Sequence, residues 1–448
     1  MGNSRSIYKV KPAGSPLIGR VRAPGDKSIA HRALLLAALG EGPSRIVGLP
    51  DGEDVRSTIR AIVSLGVRLE AGTADEVVID GVGIDGLLPP AGPIDCGGSA
   101  TTARLLAGVL AGRGFFVTLM GDASLSSRPM RRVVDPLQKM GAKVFGRMSE
   151  GSILMPLVVG GDGPLEGISH RPCVASAQVK SCVLLAGLRA RGMTSITEPA
   201  ETRDHTEVML RDRGVDIVRH EGAVSLKGPI RGIASKDMRI PGDPSSASFL
   251  LVAALLIPGS RVVIEDVCLN PTRLGFVDAL RRMGAAITAE MPFERDGELW
   301  GRLEASGGER LRGAFFDAAD VARIIDEIPI LAVAAAFAEG VTIFSGCSEL
   351  RAKESDRLSA VVSMLRGFGL RADEEADCLT VHGRERVTTG LGKARARVSS
   401  FGDHRVAMAA VILGLASGRG CEIEGMNAVS ASYPGFIGAI VALSRGNA

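Results

Sequence analysis

Six stretches of the chain are apolar almost without interruption, and they share one grammar. Arg22 to Leu49 reads RAPGDKSIAHRALLLAALGEGPSRIVGL, and Arg239 to Val267 reads RIPGDPSSASFLLVAALLIPGSRVVIEDV. Each predicts a strand, a Pro-Gly-Asp turn, a helix opened by small residues, a glycine stop and a β-branched strand. Four further copies begin at Ser99, Ser176, Asp326 and Asp403. The six starts lie roughly 70 to 80 residues apart. A helix that is apolar on every side is buried on every side. Several copies continue into a second, more amphipathic helix that ends at Leu65-Gly66-Val67, Met140-Gly141-Ala142 or Met283-Gly284-Ala285. There glycine supplies the left-handed cap before the next β-branched strand.

The pattern predicts six βαβαββ units. Solenoid repeats are far shorter, and these units already hold both strands and helices, so stacking into a solenoid is set aside. Two domains of three units each follow, with the two Pro-Gly-Asp segments as boundaries.

Composition narrows the function. Of 448 residues, 46% are hydrophobic, enough for two cores. Lys and Arg number 53 against 50 Asp and Glu, and aromatics are only 4%. Neither a polycationic surface nor a stacking platform is available, so no nucleic acid is expected as a partner. The longest apolar run, near Ile328–Ala338, is well short of the roughly 18 to 20 residues of a membrane span, so no membrane is expected either. Seven scattered cysteines without a CxxC pair read as reduced thiols in the cytoplasm. Six histidines without ligand spacing point to no metal. Gly81-Val-Gly83-Ile-Asp-Gly86 fits the dinucleotide fingerprint, but Pro89, Pro90 and Pro93 stand where its helix belongs.

Cationic and hydroxyl residues recur at the starts of the buried helices: Lys27, Ser28 and Arg32, then Ser99, Thr101 and Arg104, then Ser176, Gln178 and Lys180. Helix starts carry unpaired N–H groups and partial positive charge, so converging starts form a site for phosphates and carboxylates. Ser and Asp there are also ordinary caps. A second concentration, ELRAKESDRLSAV from Glu349, places Lys353, Glu354 and Arg357 on about one helical turn. Asp326 precedes an apolar helix, His404 and Arg405 follow Asp403, and Arg128 precedes Pro129 at a turn.

Taken together, PGDKSIAHR, GGSAT, GDASLSSRPM, ASAQVKS, TRDHTE, PGDPSSA, DEIPILAVAAA, RAKESDRL and DHRVAMA resemble the successive motifs of the EPSP synthases, in order and over nearly the whole chain. The resemblance implies a mixed α/β (α+β) fold, the enolpyruvyl transferase inside-out α/β barrel: two domains, each of three βαβαββ units around buried parallel helices. It places one domain at 25–240, the other at 1–24 plus 241–448, and a hinge near 22–26 and 239–243 that closes on substrate. It implies transfer of the enolpyruvyl group of phosphoenolpyruvate to the 5-hydroxyl of shikimate 3-phosphate, without cofactor, by a monomer. By the same resemblance Lys27 contacts both substrates, while Ser28, Arg32, Ser176, Ala177, Gln178 and Arg203 hold shikimate 3-phosphate. Arg128, Arg357 and Arg405 grip phosphoenolpyruvate, with Ala100 and Thr101 beside it. Asp326 and Lys353 meet the shikimate hydroxyls, and Glu354 lies at the enolpyruvyl carbon. Asp326, Glu354 and Lys27 are the expected catalytic residues.

Two departures stand out. Many members read Gly-Asn-Ala-Gly-Thr where this chain has Gly97-Gly98-Ser99-Ala100-Thr101, and many carry a lysine where Ala431 stands. The ASAQ and DEIPILAVAAAFAEG wording resembles the bacterial class with glyphosate-tolerant members, which implies reduced glyphosate sensitivity. The related UDP-N-acetylglucosamine enolpyruvyltransferases show Asn after the first lysine, where Ser28 stands. A noncatalytic anion-binding relative has no use for both Asp326 and Glu354.

Overall fold

The computed structural model describes residues 7–72, 75–383 and 395–446. The chain forms two compact units of mixed α/β structure. One comprises Met1–Pro24, Pro241–Glu294 and Leu299–Ala448; the other comprises Gly25–Ile240 with Arg295–Glu298. The chain thus passes between units beside both Pro-Gly-Asp segments. It also passes at the tip of the hairpin formed by Ile287–Arg295 and Glu298–Ser306, a crossing that hydrophobic patterning gives no sign of.

Each sheet of the 25–240 unit has four strands built to one plan. In the first, Met238–Arg239 pairs in parallel with Glu41–Val47, which pairs antiparallel with Glu76–Val82, and Arg68–Ala71 closes the edge. The register runs from Glu41↔Val82 to Val47↔Glu76. The other unit repeats the plan twice and adds a three-stranded sheet in which Ile7–Val10 pairs antiparallel with Cys421–Glu424. In both units the first repeat takes its parallel edge strand from a distant part of the chain: Met238–Arg239 in one, Ile18–Arg22 beside Arg261–Cys268 in the other. That exchange closes each unit on itself and leaves no repeat as an independent piece.

Six apolar helices fill the interiors: Lys27–Leu39, Ala100–Leu110 and Ala177–Gly187 in one unit, Pro244–Leu256, Ile328–Ala336 and His404–Ala416 in the other. All residues from Ile29 to Leu39 and from His404 to Gly414 are buried. Five of the six starts are fixed by side-chain caps: Asp26 accepts from the Ile29 N–H, Ser99 from Thr102, Ser176 from Val179, Asp243 from Ser245 and Ser246, and Asp403 from Arg405. Each such cap contributes about 1 kcal/mol.

In four of the repeats a glycine lets a strand pass against the end of its buried helix, at Gly81, Gly228, Gly307 and Gly383. A Cβ at Gly81 would meet the Ala37 and Gly40 carbonyl oxygens at 2.3 and 2.4 Å. At Gly307 it would meet those of Ala254 and Ile257 at 2.3 and 2.7 Å, and at Gly383 those of Ala338 and Ala335 at 2.0 and 2.6 Å. The glycines that imitate a dinucleotide fingerprint therefore have a packing cause: Gly81 is the close-approach residue of the first repeat.

Candidate active site

In the 25–240 unit, the candidate ligands gather at three helix starts. Lys27 opens its helix and its Nζ lies 2.8 Å from Asp54 Oδ2, on the first turn of Glu53–Ser64. Ser28 is held from two sides, its hydroxyl accepting from Arg203 Nη1 at 3.2 Å and its carbonyl from Arg32 Nη1 at 2.8 Å. Arg32 is buried and spends its other nitrogens on Thr206 and Ser181, both at 2.7 Å. A second chain links the neighbouring helices: Arg104 Nη1 donates to Gln178 Oε1 at 2.6 Å, and Gln178 Nε2 donates to Thr101 Oγ1 at 2.9 Å. Arg104 also donates to the Pro129 carbonyl at 3.3 Å, which ties it to the segment carrying the buried Arg128. Ala100 is buried at the first helical position after Ser99, and Ala177 holds the same position after Ser176.

The other unit gathers the acidic candidates around one guanidinium. Arg357 is 1% exposed; its Nε lies 2.8 Å from Asp403 Oδ2, its Nη1 3.4 Å from Asp326 Oδ1, and its Nη2 bonds Glu354. Arg405 Nη1 donates to the Asp326 carbonyl at 3.0 Å, with Nη2 3.5 Å from its carboxylate. Burial alone would raise the Asp403 pKa, but the Arg357 charge reverses this and holds it below the usual carboxylate value. Burial lowers the Lys353 pKa, and the Asp326 charge is the main opposing influence. A lysine so placed gives up its proton more readily than one in water.

The sequence picture needs two corrections. Lys353 and Glu354 do not share a helical turn with Arg357. Asp356 caps Ser359 and starts the Arg357–Gly367 helix at Arg357, so 353–355 form a bend after the 3-10 turn Ser348–Ala352. The Glu354–Arg357 pair survives because the bend keeps them adjacent. Lys180 is not in the anion site: its side chain is 0% exposed and turned inward onto Glu198 and Glu207, both 2.7 Å away. Asp54, Ser181 and Thr206 went unnoticed in the sequence, since only distant parts of the chain give them partners. Asp403 was legible as a cap, though not as the anchor of Arg357. Among the described residues no cluster of three or more His, Cys, Asp or Glu is arranged to hold a metal. No helix among them is long and apolar enough to cross a membrane.

The sequence profile of the family described as EPSP synthase (3-phosphoshikimate 1-carboxyvinyltransferase) matches residues 11–440. A 3-phosphoshikimate 1-carboxyvinyltransferase of Xanthomonas campestris pv. campestris (strain B100) is 48% identical over 436 residues, covering 97% of each chain. One from Xanthomonas oryzae pv. oryzae (strain PXO99A) is 46% identical over 434 residues, covering 97% of this chain and 96% of the relative. Among solved structures, EPSP synthase from Acinetobacter baumannii superposes with a TM-score of 0.83 at 37% identity over 98% of both chains. The enolpyruvyl transferase NikO from Streptomyces tendae shares the fold, with a TM-score of 0.73 at 18% identity over 98% of this chain and 97% of that one. With the profile spanning both units and nearly half of all positions identical to a full-length relative, the chain belongs to the EPSP synthase family of transferases.

Proposed function

We propose that the chain transfers the enolpyruvyl group of phosphoenolpyruvate to the 5-hydroxyl of shikimate 3-phosphate and releases phosphate. The observation that carries this reading is the cluster in which Arg357 and Arg405 converge on Asp326 beside Glu354. Paired guanidinium groups suit an anion with both a phosphate and a carboxylate. Adjacent carboxylates supply proton acceptors and donors. Asp326 takes the proton of the attacking hydroxyl. Glu354 and Lys27 divide proton transfer at the methylene carbon and at the departing phosphate, and Arg128, Arg357 and Arg405 stabilise the charge that develops. Ser28, Arg32, Ser176, Ala177, Gln178 and Arg203 hold shikimate 3-phosphate, with Lys353 at its hydroxyls and Thr101 fixing Gln178. The protein works as a cytoplasmic monomer.

Phosphate release is measured with both substrates and with each alone. Release that requires both supports the proposal, and no release from folded protein overturns it. In single turnover, Glu354→Gln slows formation of the tetrahedral intermediate; an undiminished rate removes Glu354 as the proton donor.

Reduced glyphosate sensitivity belongs to the same proposal. Ala100 adds a buried methyl at the first turn of Ala100–Leu110, where the resemblance leads one to expect glycine. Glyphosate is longer than phosphoenolpyruvate, so the methyl penalises the inhibitor more. Such overpacking costs about 1 to 3 kcal/mol, roughly fivefold to somewhat over a hundredfold in affinity. Ala100→Gly lowers the glyphosate inhibition constant accordingly; an unchanged constant rules Ala100 out as the determinant.

A further inference from the structure

Lys180 sits in the first turn of Ala177–Gly187, two residues after Gln178, where a cation would ordinarily face an incoming anion. It instead lies wholly inside the 25–240 unit. Its Nζ is 2.7 Å from Glu198 Oε2, 2.7 Å from Glu207 Oε1, and donates to the Thr202 carbonyl at 3.3 Å. Glu198 is itself buried, with 4% of its side chain exposed, and accepts a hydrogen bond from the Thr202 hydroxyl. Thr202 is thus held at both its carbonyl and its side chain by one buried pair. The next residue is Arg203, whose Nη1 reaches Ser28 Oγ at 3.2 Å.

The connection from Glu198 to Asp204 has no regular secondary structure, so no ladder of backbone hydrogen bonds sets its path. A buried ion pair is a costly way to gain stability, since desolvation offsets most of the attraction. It is an effective way to fix one geometry, because each charge tolerates only the arrangement that pairs it. Burial raises the Glu207 pKa, and the Lys180 charge is the main opposing influence.

We infer that Lys180 is a positioning residue for shikimate 3-phosphate: with Glu198 it clamps Thr202 and thereby presents the Arg203 guanidinium beside Ser28. The inference rests on the reading of Arg203 and Ser28 as ligands of that substrate. Lys180 touches no substrate and acts through the backbone of its neighbour.

The test compares steady-state constants for Lys180→Met, Glu198→Ala, Glu198→Gln, Thr202→Val and Arg203→Ala, each checked for folding by circular dichroism and melting temperature. Loss of one charge-assisted contact corresponds to about tenfold or more in binding. Lys180→Met and Glu198→Ala are expected to raise KM for shikimate 3-phosphate by about that factor, with kcat and the KM for phosphoenolpyruvate within about threefold of the parent. Glu198→Gln keeps an acceptor for Lys180 and is expected to recover most of the loss, which a merely structural lesion would not show. Thr202→Val removes a single hydroxyl, so it carries the test if Lys180→Met fails to fold, with a smaller rise in the same constant. Arg203→Ala separates the two levels of the argument. If it leaves the shikimate 3-phosphate KM unchanged, the reading of Arg203 fails and the inference falls with it. If it raises that KM while folded Glu198→Ala and Thr202→Val stay within twofold of the parent, or if Glu198→Gln is no better than Glu198→Ala, the reading stands and the clamp is wrong.

Discussion

Arg357→Lys keeps one positive charge at the centre of the acidic cluster and removes the planar fork. In the parent, three nitrogens reach three carboxylates in three directions: Asp403 at 2.8 Å, Asp326 at 3.4 Å, and Glu354. A lysine ammonium, on a stem without the guanidinium plane, retains one such partner. Two charge-assisted hydrogen bonds are then lost, each contributing about 1.5 to 3 kcal/mol. The lower bound of about 3 kcal/mol corresponds to roughly a hundredfold. Because the stranded groups are the proposed base and proton donor, the loss is expected in kcat as well as in KM for phosphoenolpyruvate. Continuous phosphate-release assays give both constants, and circular dichroism with a thermal melt counts the folded fraction. If the folded variant keeps kcat/KM for phosphoenolpyruvate within fivefold of the parent, the fork does not organise the cluster and the argument is wrong.

Three shorter predictions follow from other parts of the structure. Arg405→Lys loses its two-point grip on Asp326, so KM for phosphoenolpyruvate rises about tenfold while that for shikimate 3-phosphate stays within twofold; equal losses in a binding assay would mean that Arg405 supports the whole site. Burial pushes the His31 pKa from 6.5 down to about 3, so its contribution to stability is complete above pH 6.5 and is lost as pH falls from there toward 3. Unfolding free energies from urea titrations should decline through that window by an amount of order 4 to 5 kcal/mol, and His31→Gln should flatten the decline. Gly307→Ala forces a methyl against two backbone carbonyls and should destabilise by about 2 kcal/mol or more; an unchanged melting temperature would refute the close-approach reading of that glycine.

The buried helices were legible because their signal is local. An all-apolar run bounded by an Asp or Ser cap and a glycine stop has one reading, and the observed spans Lys27–Leu39 and Pro244–Leu256 begin one residue after the capping aspartates. The close-approach glycines were not legible, since Gly81, Gly307 and Gly383 answer to carbonyl oxygens more than forty residues earlier in the chain. Side-chain direction was the other blind spot. Lys180 looks like a ligand when only its helix position is known. That it turns inward depends on Glu198 and Glu207, which no local pattern places beside it. The bend at Lys353 and Glu354 escaped notice because the sequence does not mark Asp356 as the residue whose carboxylate caps the helix that follows.

The identity of the cap sorts five of the six helix starts more sharply than their common position does; Ile328–Ala336 starts without a side-chain cap. A helix start carries roughly half a positive charge, so a serine cap leaves that field in place while an aspartate cap more than cancels it. Asp243 and Asp403 go further, since each is also bound by a buried arginine, Arg273 at 2.7 Å and Arg357 at 2.8 Å. Those two starts are satisfied within the protein and serve packing. Ser99 and Ser176 cap with a neutral hydroxyl that accepts from the backbone and keeps its own hydrogen to donate. The Arg104–Gln178–Thr101 chain joins these same two helices at their first turns. In the 25–240 unit the helix-start share of any attraction for an anion is therefore greatest at the serine-capped pair, where Ala100, Thr101, Ala177 and Gln178 lie. In the other unit the proposed anion contacts are the Arg357 and Arg405 side chains, and the helix start that Asp403 has already neutralised adds little.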